Sequence, residues 1–280
     1  MGYPKRVVKG FLSLWPFTHL VKKLSPYPPF RRLFAPLVDE RIFQVTFLPV
    51  AEDIPPPEGT VLPRQALAEL IRASSHRFIH DGCICRNREG CRRYPRDLGC
   101  IFLGEAAAHL HPSLGHRASV EECLNHLEKA ARTGLPAMIG RIWFDAASLG
   151  VLRNFRRFLV VCFCCDCCCL VRTDIRGAAP EFKSAVRKLE SVRVRVGENC
   201  AGCGTCAEAC FVGAVELRGG RAYIDARKCK GCGRCSLLCP HQAIEVEFDA
   251  HDEVFRELLK RVGTPAGVRG FESVWEEPLG

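Results

Sequence analysis

Four cysteines, Cys200, Cys203, Cys206 and Cys210, follow the spacing C-x2-C-x2-C-x3-C, and Cys229, Cys232, Cys235 and Cys239 repeat it 29 residues later, closing with Pro240. The same offset carries Ala214-Val215-Glu216 onto Ala243-Ile244-Glu245, so the stretch is an internal duplication. With 280 residues the chain is long enough to bury a core without disulfide staples. Its 19 cysteines are odd in number and fall mostly in clusters one to three residues apart. That is the pattern of metal ligation in a reducing compartment.

Three cysteines two residues apart can wrap one face of an iron-sulfur cubane, with Gly202, Gly204, Gly231 and Gly233 letting the backbone approach the inorganic sulfides. The flanks alternate as strands do, in Val192-Arg193-Val194-Arg195-Val196 and again from Ala243 to Phe248, and the two are expected to pair. Gly219-Gly220 between Val215 to Arg218 and Arg221 to Ile224 signals a hairpin. Over residues 192 to 248 the sequence resembles bacterial two-cluster ferredoxins. The resemblance implies that Cys200, Cys203, Cys206 and Cys239 hold one [4Fe-4S] cluster and Cys229, Cys232, Cys235 and Cys210 the other. Phe211 stands where that family usually has proline. The zinc alternative would show two separated C-x2-C pairs for each four-thiolate site.

A second set, Cys83, Cys85, Cys91 and Cys100, lies among Arg86, Arg88, Arg92, Arg93 and Arg96. Guanidinium groups suit an anionic cluster, so a third [4Fe-4S] cluster is expected here, with zinc or buried thiols as the alternatives. His76 and His80 would share a face if helical, and are read as packing partners rather than ligands. The third set packs Cys162, Cys164, Cys165, Cys167, Cys168 and Cys169 into eight residues around Asp166. In an extended chain Cys162, Cys164 and Cys168 would face one way and Cys165, Cys167 and Cys169 the other. Either about four of them bind a fourth cluster, or the segment bridges a cluster and a second feature. Cys123 differs: it sits in a helix opened by the capping box Ser119 to Glu122, running through Leu124 and Leu127 and stopped by Gly134 and Pro136, and reads as core. The combined order of cysteine sets over residues 63 to 248 resembles multicluster 4Fe-4S-binding proteins of anaerobic bacteria and archaea, whose common version has glycine at the place of Asp166. That resemblance implies a cofactor class but no single reaction. A carboxylate at 166 would orient a ligand or add an oxygen ligand.

The chain carries a formal +9, and residues 1 to 50 contribute +6 of it through Lys5, Arg6, Lys9, Lys22, Lys23, Arg31, Arg32 and Arg41 against Asp39 and Glu40. Four clusters of about −2 each would bring the holoprotein near +1, so the basicity belongs to this arm. The cations are interleaved with Phe11, Leu12, Leu14, Trp15, Phe17, Leu20, Val21, Phe30, Leu33 and Phe34. Three readings stay open: packing on the protein's own core, docking to a redox partner or oxidoreductase subunit, and contact with a membrane surface. Pro16, Pro26, Pro28 and Pro29 limit any single amphipathic helix. Nucleic acid is not an expected partner, because no aromatic-basic module is present. No apolar run is long enough to span a membrane, and neither an export signal nor a myristoylation motif is read at the start. The expected location is cytoplasmic, with peripheral membrane contact through the arm left open.

These readings predict an α+β protein: an N-terminal arm and Pro-rich linker over 1–59, a cysteine-rich α/β domain over 60–190, a two-cluster ferredoxin domain over 191–249, and a C-terminal helix and acidic tail over 250–280. Within them, Asp53 to Pro63 is the linker, a helix spans Arg64 to Ala73, Asp252 caps a helix to Val262 stopped by Gly263, and Glu272, Glu276 and Glu277 mark the tail. The expected function is single-electron relay through several [4Fe-4S] clusters to a partner oxidoreductase. Two alternatives stand beside it: an oxidoreductase with Cys162 to Cys169 as a cluster-based active site, for example in disulfide or corrinoid reduction, and a structural zinc scaffold.

Overall fold

In the computed structural model residues 1–39, 41–50, 63–249 and 251–268 are described. Most of the Pro-rich linker, Glu40 and the acidic tail lie outside them. The chain is α+β, with a seven-stranded sheet and two small two-stranded sheets. The large sheet is built from β1 (Phe43–Leu48), β2 (Arg77–His80), β3 (Ile101–Leu103), β4 (Gly115–Arg117), β5 (Ala137–Ile142), β6 (Leu159–Phe163) and β7 (Val186–Arg187), in the order β4-β2-β3-β6-β5-β1-β7. Every pairing is antiparallel except β1 with β7.

Its central strands β3 and β6 are apolar on both faces because both are covered. Ile79, Ile101, Leu103, Leu159 and Val161 join a core with the helices Pro63–Ala73, Val120–Arg132 and His251–Ala266. On the other face Phe78, Phe102, Phe158 and Val160 pack with Val8 and Leu12 of the basic arm, and Phe102 stacks on Phe158 at 5.4 Å. The arm therefore packs on the protein's own core. Its prolines divide it into the short helices Lys5–Phe11, Trp15–Leu24 and Pro28–Phe34, with proline in the opening turn of the last two. Phe11 meets Phe144 at 5.3 Å, and Phe34 is buried with Ala178, Ala179 and Phe182. Val7, Leu14, Phe17 and Leu20 remain exposed. Among the described residues no helix is long and apolar enough to cross a membrane.

The second part of the chain forms β8 (Val192–Val196), β9 (Val215–Arg218), β10 (Arg221–Ile224) and β11 (Ile244–Phe248). β8 pairs with β11, and β9 with β10 through Gly219-Gly220, where both glycines take positive φ.

Local expectations hold at the helix Val120–Arg132, where Ser119 and Glu122 form the capping box, and Cys123 is fully buried with its thiol pushed up to about 12 by burial. Two others are corrected. His80 ends a strand, not a helix, so it shares no helical face with His76; its Nδ1 donates to the Gly82 carbonyl at 2.6 Å. The last helix starts at His251 and does not stop at Gly263 but runs to Ala266. Burial of Val262 and Ala266 keeps the chain helical, and the left-handed residue that ends it is Gly267, where a Cβ would strike Ser75.

Candidate metal and redox centre

The two middle cysteine sets do not form separate sites. Pairing of β3 with β6 places Ile101 opposite Val161, which sets Cys100 against Cys162, with their Sγ atoms 2.9 Å apart. Cys83 caps the short helix Ile84–Arg88, and Cys169 occupies the N-cap position of the helix Leu170–Arg176. Cys83, Cys85, Cys100, Cys162, Cys164 and Cys169 thereby line a common cavity of about 370 Å³, which Cys165 also borders. Cys91 goes elsewhere: its thiol joins those of Cys165, Cys167 and Cys168, all four within 4.8 Å of one another.

The expected grouping of Cys83, Cys85, Cys91 and Cys100 is thus corrected to six thiols plus four, each group drawing on both sets. The strict alternation expected over residues 162–169 is corrected too. It holds as far as Cys167, but the turn at Asp166, Cys167 and Cys168 exchanges the last two, sending Cys168 to the group of four and Cys169 to the cavity. The Cys168 N–H donates to the Cys165 thiol at 3.3 Å across that turn.

Within the six, thiols stand in donor-acceptor pairs. Cys85 donates to Cys83, holding that thiol down to about 6 against its burial, with Arg86 helping, while Cys85 itself is pushed well up. Cys164 likewise donates to Cys169, raising the one and lowering the other. Cys162 is raised by its bond to Cys100 and by burial. Arg86, itself buried, donates to the carbonyls of Pro95 (2.8 Å), Phe163 (2.6 Å) and Leu98 (2.5 Å) and puts its charge behind these thiols. The rest of the cavity wall is largely apolar, from Phe102, Met138, Ile142, Trp143 and Phe144 of the sheet side to Phe11, Phe17 and Val21 of the arm. Asp145 also lines it. Burial raises its carboxyl to about 7.

In the C-terminal part Cys200, Cys203, Cys206 and Cys239 line one small cavity, and Cys210, Cys229, Cys232 and Cys235 another. Backbone N–H groups aim at these sulfurs: Ala222 at Cys200 (3.3 Å), Ala243 at Cys239 (3.3 Å), Ala214 at Cys210 (3.2 Å) and Gly231 at Cys229 (3.4 Å). Thiols around a void, met by backbone donors, fit the needs of an anionic [4Fe-4S] group. The two cavities differ in setting. Cys203 is exposed and its thiol is lowered by Thr205, whereas burial raises Cys235 well up. Cys210, Cys229 and Cys232 pack against the main core.

The residues joining the two parts carry no sequence motif. Phe211 is buried and meets Phe47 of β1 at 5.1 Å, so it is the knob that seats one part on the other. Above both rings lies Arg172, its guanidinium 4.8 Å from the Phe211 ring and 5.8 Å from that of Phe47. It is 1% exposed, and none of its three nitrogens has a hydrogen-bond partner among the described residues. Burial opposes its charge, but Cys232, Cys169, Cys164 and Asp166 together more than offset this and raise its pKa.

Asp166 accepts a hydrogen bond from Arg234 at 3.1 Å, and Arg234 also donates to the Tyr94 hydroxyl (2.5 Å) and the Gly134 carbonyl (3.2 Å). The carboxylate expected to assist a metal ligand is thus half of an ion pair, its side chain 12% exposed and that of Arg234 8%. Removing one partner strands a buried charge, so Arg234→Met is expected to cost about 3 kcal/mol of stability in denaturant unfolding. An unchanged midpoint would show that the pair does not hold the two parts together.

Residues 199–243 match the family described as the 4Fe-4S dicluster domain. No curated protein matches the chain. The protein is an iron-sulfur protein that binds [4Fe-4S] cofactors and has an electron-transfer role.

Proposed function

We propose that the chain relays single electrons from an external redox partner, through the two C-terminal clusters, to a third metal-sulfur centre held by the six cavity thiols. The observation that carries this reading is Arg172. An unpaired guanidinium at 1% exposure is costly unless charge nearby compensates it, and the groups that do so are Cys232 of the C-terminal quartet, Cys169 and Cys164 of the middle group, and Asp166. With anionic clusters on both sides the cation has its partners, and it favours reduction of each.

The order follows from exposure. The quartet containing Cys203 faces solvent and suits exchange with a partner, while the quartet containing Cys232 packs on the core next to Arg172. The protein supplies thiolates and backbone donors; the clusters supply the electron capacity, without bond changes in the chain. The exposed Val7, Leu14, Phe17 and Leu20 of the basic arm support a contact with the partner or with a membrane surface. An anaerobic reductive titration tests the relay. More than two electrons per chain are expected, one for each cubane and at least one for the middle centre. An end point at two would overturn it.

The cavity favours a second reading, in which the middle centre is catalytic. Six thiols exceed the four that one cubane uses, and they open on an apolar chamber of about 370 Å³ with a carboxyl, Asp145, that holds a proton near neutral pH. There an arriving electron could be matched by a proton delivered to a bound substrate.

A further inference from the structure

The four thiols of Cys91, Cys165, Cys167 and Cys168 stand too close together for a cubane. All lie within 4.8 Å of one another, with Cys91 to Cys167 at 3.7 Å and Cys167 to Cys168 at 3.6 Å. A single tetrahedral ion with metal-sulfur bonds of about 2.3 Å sets its thiolates about 3.8 Å apart. Four irons at the corners of a cubane push their thiolates out to roughly 6 Å. The C-terminal cysteines provide the yardstick within the same molecule. Among the described residues no three of those eight thiols come within 4.8 Å of one another, and each quartet surrounds a cavity. Cys91, Cys167 and Cys168 line none of the three cavities described above.

We propose that Cys91, Cys165, Cys167 and Cys168 bind one divalent ion, zinc or ferrous iron, in a mononuclear tetrathiolate site. The ion ties the loop bearing Cys91 to the turn at 166–168. That turn decides which thiols reach the cavity, and it presents Asp166 to Arg234. The site is a staple for the redox centre, and Cys165 gives it a shared wall with the cavity.

The test is anaerobic metal and acid-labile sulfide analysis of the full chain and of Cys91→Ser and Cys167→Ser. A mononuclear site has no inorganic sulfide, so each variant is expected to lose about one metal per chain with sulfide unchanged. Loss of about four irons together with about four sulfides would identify a cubane and overturn the proposal, as would no loss of metal. Should either variant not fold, X-ray absorption of the unmutated protein decides. Zinc-edge data with four sulfurs at about 2.3 Å supports the zinc form. A mononuclear high-spin ferric EPR signal after mild oxidation supports the iron form. Absence of both overturns the site.

Discussion

Arg172→Met is expected to lower the midpoint potentials of the two centres the cation faces. Its guanidinium is held over Phe211 and Phe47, buried and, among the described residues, without a hydrogen bond. With clusters in place the cation faces anions on both sides, and its loss disfavours each added electron. A unit charge a few ångströms beyond the thiolates, at an effective dielectric near 20, is worth on the order of 2 kcal/mol, or on the order of 100 mV. The midpoint potentials of the buried C-terminal cluster and of the middle centre are both expected to fall by that order, while the exposed cluster near Cys203 changes little. Potentiometric titration followed by EPR reads all three. Unchanged potentials would mean that Arg172 is not between two anionic centres.

Asp145→Asn is expected to flatten the dependence of stability on pH. The carboxyl sits at about 7 in the folded protein because burial penalises its charge, against an ordinary 3.8. The folded state therefore holds the proton more tightly than the unfolded one. The stability linked to that proton is full below about pH 4, declines as pH rises toward 7, and is lost above it. A shift of roughly three pH units is worth about 4 kcal/mol. Asparagine mimics the neutral acid and cannot ionise. The variant and the parent should match near pH 4, and at pH 8 the variant should be the more stable by about that amount. Anionic clusters at the neighbouring thiols push Asp145 the same way, so the difference persists in the loaded protein. Parallel stability curves from pH 4 to 8 would show that Asp145 meets water.

The sequence was most informative where chemistry and local geometry coincide. The repeated C-x2-C-x2-C-x3-C spacing, the strands flanking it, the Gly219-Gly220 hairpin and the Ser119 capping box are all set by neighbours within a few residues, and all reappear in the structure. The middle cysteines were not legible in this way. Their grouping depends on the register of β3 against β6, which sets Cys100 opposite Cys162, and on one turn at Asp166 that exchanges Cys168 and Cys169. Spacing along the chain carries no information about a partner 62 residues away. Arg172, Asp145 and Arg234 were missed for the same reason. Each looks ordinary beside its sequence neighbours and becomes unusual only when the fold buries it. Phe211 was visible as a departure from the ferredoxin pattern, but its role needed Phe47 to be placed against it.

The most direct measurement is iron and acid-labile sulfide per chain in anaerobically purified protein, taken alongside Cys164→Ser. A third centre on the cavity thiols requires sulfide well above the roughly eight that two cubanes supply, near twelve if it is itself a cubane. In Cys164→Ser sulfide should return to about eight while the C-terminal EPR signals persist. A value near eight in the unmutated protein would contradict the relay to a middle centre.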